Sequence, residues 1–195
     1  MILGENFDRA LMFAHKLHRT QLRKGGRVPY IAHLLAVASV VLDYGGDEEE
    51  AIAALLHDAV EDQGGAPVLA EIRSEFGDRV ADIVAGCTDS DSEPKPPWQE
   101  RKEAFLRALK AASPSVRRVV TADKLHNVRT TLEDYRANGE DVWQRFHGAR
   151  EGTLWYYRSL VEILENDNTD ALTAEFARTV DELLRMTGDG AKHQE

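Results

Sequence analysis

The run Leu55-Leu56-His57-Asp58-Ala59-Val60-Glu61-Asp62 sets an imidazole and three carboxylates at the end of a segment otherwise built from alanine and aliphatic residues. Acids at a helix C-terminus are opposed by the helix dipole and by one another, so helix propensity gives no reason for them. At about 3.6 residues per turn, His57 shares a helix face with Glu61, and Asp58 shares one with Asp62. Imidazole nitrogen and carboxylate oxygen both bind divalent transition metals, and the adjacent pair His57-Asp58 offers one of each. Two more polar residues interrupt apolar helical runs: His33 in Ile31-Ala32-His33-Leu34-Leu35-Ala36-Val37, and Asp123 in Val119-Val120-Thr121-Ala122-Asp123-Lys124-Leu125. Burying an aspartate there is costly unless it is paired or metal-bound. Taken singly, His33 reads as a hydrogen-bonded core histidine and Asp123 as half of a buried ion pair. Together with His57-Asp58 they give the order His, His-Asp, Asp, which is far more specific.

The elements that must position these residues are helical. Apolar residues recur at helical spacing and nowhere alternate over a sustained run, so the fold class expected is all-α. A first helix runs through Phe7, Leu11, Phe13, Ala14 and Leu17 towards the loop Arg23-Lys24-Gly25-Gly26-Arg27-Val28-Pro29. A central helix follows from Ile31 to about Tyr44, apolar on most sides. Asp47 with Glu50 resembles a capping box, and it starts one helix that continues through His57-Asp58 to Gln63. Further helices are expected over 67–76, 78–88, 98–112, 114–136, 141–165 and 169–186. The Pro-rich stretch Asp89 to Pro97 is a loop, and Gly188 to Glu195 is a disordered tail.

The whole chain bounds the rest. Its 195 residues suit one domain, and 43% hydrophobic with 30% charged content is that of an ordinary soluble globular protein. Its apolar runs are too short to cross a bilayer. No signal-peptide order begins the chain, so a cytoplasmic location is expected. A formal charge of −10 argues against nucleic acid as a partner. Between Asp8 and Asp43, however, Arg9, Lys16, Arg19, Arg23, Lys24 and Arg27 have no acidic neighbour in sequence, so a small anion can be drawn to this segment. The single Cys87 excludes an intramolecular disulfide and reads as a small buried hydrophobe.

The order His, His-Asp, Asp resembles that of the HD metal-dependent phosphohydrolases. The segments HKLHRTQLRKGGRVPYIAH, AALLHDAVED, EFGDRV and TADKLHNVRT are similar, in that order, to motifs of the alarmone hydrolase domain of the RelA/SpoT family, including its stand-alone small alarmone hydrolases. The resemblance covers roughly residues 5–136. It implies an HD-domain helical bundle over 1–140, extra C-terminal helices over 141–187 packed on the same domain, and the tail over 188–195. It also implies a single manganese ion held by His33, His57, Asp58 and Asp123, with Glu61 and Asp62 orienting and deprotonating the attacking water. Arg23 and Lys24 match the pair that contacts the nucleotide. Asn127 and Thr130 match further nucleotide-contacting positions, and they share a helix face with Asp123. The activity implied is hydrolysis of guanosine 3′,5′-bis(diphosphate), or its pentaphosphate analogue, at the 3′ position. Alternatives are an adenosine 3′-diphosphate or another phosphorylated nucleotide as substrate, or a nucleotide-binding regulator without turnover. The small nucleotide is the only partner implied, and the oligomeric state is left open. His18 and Gln21 fall in the first motif as supporting groups. His15 and His126 are given no metal role, and Tyr30 reads as a pocket or packing residue. Trp143, Phe146, Trp155, Tyr156 and Tyr157 read as packing for a C-terminal helix. Three departures from the family pattern stand out: a loop from Lys24 to Pro29 longer by one residue, Leu34 in place of proline, and Gln63 in place of threonine.

Overall fold

The computed structural model describes residues 2–90, 94–166 and 170–189, and among them no strand is present. Three helices make the centre. The first of these is α2 (Ile31–Asp43), apolar on most sides and buried at His33, Leu34, Val37, Ala38, Val40 and Val41. It packs on α3 (Glu48–Leu56), in which every residue from Glu50 onward is buried. Both lie against α8 (Pro114–Asn138), the longest helix, started by Ser113, whose hydroxyl accepts from the Val116 N–H, and by proline in its first turn. These helices carry His33, the His57-Asp58 pair at the α3 end, and Asp123, so core packing brings the four together.

The remaining elements surround this centre. α1 (Glu5–Leu17) packs on α3 through buried Ala10 and Ala14. α4 (Ala59–Gln63) and α5 (Gly65–Phe76) follow α3, and Gly77 at φ 91° separates α5 from α6 (Asp78–Cys87). α7 (Trp98–Lys110) lies against α9 (Ala149–Glu165), while α10 (Ala171–Met186) packs on both α8 and α9. None of the described helices is long and apolar enough to cross a membrane.

Two boundaries differ from the sequence expectation. The helix begun at Asp47 does not continue to Gln63: it ends at Leu56, and a turn over His57 and Asp58 (Asp58 φ −95°, ψ −2°) separates it from α4. Neighbouring residues in a continuous helix point about 100° apart. The turn instead brings the two side chains together, with His57 Nε2 3.0 Å from Asp58 Oδ2. The single helix expected over 141–165 is likewise divided. Gly139 at φ 60° ends α8, a 3-10 helix spans Gly139–Arg145, and α9 starts only at Ala149. The interruption seats the Trp98 indole, which a Cβ at either Gly148 or Gly152 would meet. Of the tail, Gly188 and Asp189 are placed, with Asp189 bonded to Arg150; 190–195 lie outside the described residues.

The capping box at Asp47 forms: its carboxylate accepts from the Glu50 N–H at 2.9 Å, and Glu50 accepts from the Asp47 N–H at 3.0 Å. Burial opposes the charge on Asp47, but Arg79 and the Glu50 N–H hold its carboxyl below the usual carboxylate range. Its contribution is therefore fully present at neutral pH and is lost as the pH falls through the lowered value. Asp47→Ala is expected to cost about 1 kcal/mol at pH 7, read as a lower urea midpoint with unchanged slope.

Candidate metal centre and nucleotide pocket

His33 Nε2 lies 3.5 Å from Asp58 Oδ2 and 3.2 Å from Asp123 Oδ1, and His57 Nε2 lies 3.0 and 3.7 Å from the same two oxygens. His33, His57 and Asp58 each offer a ligand atom within 4.8 Å of the others. Both imidazoles are almost wholly buried, and neither Nε2 has a hydrogen-bond partner, the nearby carboxylates lying out of line. The other ring nitrogens are occupied: His57 Nδ1 meets the Ala54 carbonyl at 2.8 Å, and His33 Nδ1 meets His126 Nδ1 at 2.8 Å. A carbonyl can only accept, so His57 carries a proton on Nδ1 and, when neutral, turns its Nε2 lone pair towards the carboxylates. Lone pairs and carboxylate oxygens converging in a buried space need a cation between them. The arrangement fits a divalent metal, and the outward bonds from the Nδ1 atoms are of the kind that orient metal-bound histidines. Without metal, protons serve: against the penalty of burial, Asp58 and Asp123 hold His57 well above its usual pKa. Burial is likewise outweighed at Asp58 by His57, and at Asp123 by Lys124 and the imidazoles, so both carboxyls lie well below their usual range.

The surrounding groups fix these side chains. Tyr30 donates to Asp58 Oδ2 at 2.6 Å, and burial followed by the Asp58 charge keeps its phenol protonated. Lys124, mostly buried and raised in pKa by Asp123 against the cost of burial, lies 2.6 Å from Asp123 Oδ2. On the other oxygen, Asn127 Nδ2 donates to Asp123 Oδ1 at 2.5 Å, while Asn127 Oδ1 accepts from Arg23 at 2.7 Å. A chain of contacts thus runs from the metal centre to the loop after α1. That loop is pinned by an isolated bridge between Leu22 and Pro29, with Arg23 N–H on the Val28 carbonyl at 2.9 Å. Arg23 also lies 5.7 Å from the Tyr30 ring centroid, and exposed Lys24 follows it. At Gly25, with φ 76°, a Cβ would collide with the Arg145 side chain, itself paired with Asp134 at 3.0 Å. Gly25→Ala is accordingly expected to strain the loop by about 1–3 kcal/mol, read as a lower melting temperature.

The other sequence-selected residues divide. Asp62 accepts from Gln21 at 2.7 Å, within a network that includes His18 and Gln63. Glu61 meets Lys95 at 3.0 Å. Thr130 donates to the His126 carbonyl of its own helix at 2.9 Å, so its hydroxyl is turned to the backbone. Sequence reasoning left His126 open as either a surface or a supporting group, and the structure places it on His33; it missed Lys124 as an orienting group. Their adjacency to Asp123 and its helix neighbours was the available signal.

The sequence profile of the HD domain matches residues 10–154. With the converging His33, His57, Asp58 and Asp123 at its centre, this chain belongs to the HD domain family. Within it, the chain resembles the RelA/SpoT hydrolase domain. Over 125 residues it is 41% identical to the probable guanosine-3′,5′-bis(diphosphate) 3′-pyrophosphohydrolase of Synechocystis sp., covering 63% of this chain and only 16% of that protein's length. It is 39% identical over 123 residues to the guanosine-3′,5′-bis(diphosphate) 3′-pyrophosphohydrolase MESH1 of Xenopus tropicalis, covering 62% of this chain and 66% of that one. A solved structure described as a metazoan ortholog of SpoT that hydrolyzes ppGpp superimposes with a TM-score of 0.76 at 28% identity, over 97% of this chain and 99% of the other.

Proposed function

We propose that this chain hydrolyses guanosine 3′,5′-bis(diphosphate) and its pentaphosphate analogue at the 3′ position, releasing pyrophosphate, with one manganese ion held by His33, His57, Asp58 and Asp123. The observation that carries the reading is the pair of buried, partnerless Nε2 atoms facing two carboxylates, in a chain whose relatives bear that activity in their names. A divalent ion bound there supplies Lewis acidity and makes a nearby water more acidic. Glu61 and Asp62 take the proton and orient the water, Asp62 being held for this by Gln21. Arg23, braced by Asn127, presents a planar cation to the base, and Lys24 a point charge to phosphate. Thr130 borders the nucleotide through its methyl group, its hydroxyl being spent on the His126 carbonyl. Tyr30 and Lys124 hold Asp58 and Asp123 in register.

The test is a manganese-supplemented assay of guanosine tetraphosphate beside its adenosine counterpart, with products resolved by anion exchange. Release of guanosine diphosphate and pyrophosphate, absent with Asp58→Asn, is expected. Turnover of the adenine nucleotide alone would move the substrate to an adenosine 3′-diphosphate. Nucleotide binding without products would make the chain a regulator.

A further inference from the structure

The last two residues of α4 grip one side chain from the turn after α1. Gln21 Nε2 donates to Asp62 Oδ2 at 2.7 Å, and Gln21 Oε1 accepts from Gln63 Nε2 at 2.5 Å. His18 Nδ1 lies 2.7 Å from the same Oε1. The proton positions follow from the acceptors. A carboxylate only accepts, so the end of the Gln21 amide that faces Asp62 is its NH₂ and the other end is its carbonyl. That carbonyl only accepts in turn, so Gln63 presents its own NH₂ to it, and His18 carries a proton on Nδ1. Gln63 Nε2 and His18 Nδ1, 3.4 Å apart, are therefore two donors that share one acceptor.

The backbone of Gln21 is engaged as well. Its N–H donates to the His18 carbonyl at 3.1 Å, and its carbonyl accepts from the Tyr30 N–H at 2.9 Å. Tyr30 is the residue whose hydroxyl holds Asp58, and its ring stacks on the His18 imidazole with centroids 5.2 Å apart and 17° between planes. This arrangement has a cost. With its proton on Nδ1, His18 keeps a lone pair on Nε2, yet the residue is 2% exposed and that nitrogen has no hydrogen-bond partner. Burial holds His18 below its ordinary pKa, against the pull of the Gln21 bond, so at neutral pH a proton does not fill the gap. A buried polar group left unpaired calls for a reason beyond packing. The other tautomer would turn the Gln21 amide around and set its carbonyl against the Asp62 carboxylate.

We propose that Gln63 is a positioning residue: together with His18 it locks the Gln21 amide with its NH₂ on Asp62, and so holds that carboxylate in the orientation that addresses the attacking water. This rests on the hydrolase reading above. Gln63 reaches Asp62 through Gln21, so it acts at one remove from the chemistry. The family pattern has threonine at this position, a side chain two atoms shorter that ends in a hydroxyl. The clasp is thus a feature of this chain.

The test joins ring-nitrogen NMR of the full chain to steady-state hydrolysis of guanosine tetraphosphate. In the wild type, His18 is expected as the Nδ1–H tautomer. Gln63→Leu, which deletes the donor, is expected to lower kcat about threefold, the loss of one neutral hydrogen bond. Gln63→Glu sets a carboxylate against the Gln21 carbonyl and favours the reversed amide, so kcat is expected to fall about twentyfold, the scale of a polar group left opposed instead of paired. In both variants KM for the nucleotide and stoichiometric manganese binding should stay at wild-type values, whereas a residue serving only the fold would move them together with kcat. Gln63 is half-buried at the end of α4, so neither substitution disturbs the core. An Nε2–H tautomer in the wild type, an unchanged kcat in Gln63→Glu, or a loss that falls on KM or manganese binding instead of kcat would overturn the positioning role. The Nδ1–H tautomer in a protein that releases no guanosine diphosphate would leave the clasp standing and defeat the hydrolase reading instead.

Discussion

Asp58→Asn is expected to lose stoichiometric manganese binding and at least about 10²-fold of kcat, the scale on which removing one group that stabilises the transition state is felt. Asp58 Oδ2 is the oxygen on which the site converges, within 3.0 and 3.5 Å of the two imidazole Nε2 atoms and 2.6 Å from the Tyr30 hydroxyl. Asparagine keeps its size but replaces a charged oxygen with either a neutral one or an NH₂ group. In the second orientation the amide would donate to an imidazole lone pair and close the ligand position. Tyr30 would lose its charged acceptor in either case. A circular dichroism spectrum matching wild type, with no saturable manganese binding, would locate the loss in the site rather than the fold.

Glu61→Gln should separate the two halves of the reaction, with manganese binding retained and kcat lower by about 10²–10⁴-fold, the range for losing a general base. Burial, and then the charge of Asp89, raise the Glu61 carboxyl above its ordinary value, with Lys95 and Lys102 opposing. A base works deprotonated, so wild-type kcat should fall as the pH drops through that raised value, at higher pH than an ordinary glutamate would give. In Glu61→Gln the residual rate should lose this acid limb. A variant with wild-type turnover would remove Glu61 from the chemistry and leave Asp62 as the base.

The four converging residues were legible because each breaks an apolar helical pattern. A histidine within α2 and an aspartate within α8 stand out in runs that are otherwise mostly apolar. The capping box was legible for the same local reason, since Asp47 and Glu50 interact across a single turn. The turn at Asp58 was not. Helical periodicity continues through it, and the break is visible only once His33 and Asp123 arrive from distant helices. The cluster of Lys95, Arg101 and Lys102 about Glu61 and Asp89 was hidden for the opposite reason. Lys95, Arg101 and Lys102 sit among other polar residues, where charge carries no contrast, and Tyr156 lies in an aromatic run that serves packing equally well. What sets them apart is tertiary: a buried Asp89 and a hydroxyl without a partner. Lys124 shows the same limit, since a lysine beside an aspartate is unremarkable in sequence and becomes decisive only where the aspartate is buried against it.

The central claim is that one divalent ion at His33, His57, Asp58 and Asp123 drives 3′-hydrolysis. The most direct measurement strips the full chain with chelator, returns manganese in fractions of an equivalent, and follows guanosine diphosphate released from guanosine tetraphosphate. The account predicts no release from the stripped protein and a rise that saturates at one manganese per chain. Turnover undiminished after stripping, or none at any manganese concentration although the metal binds, would contradict it.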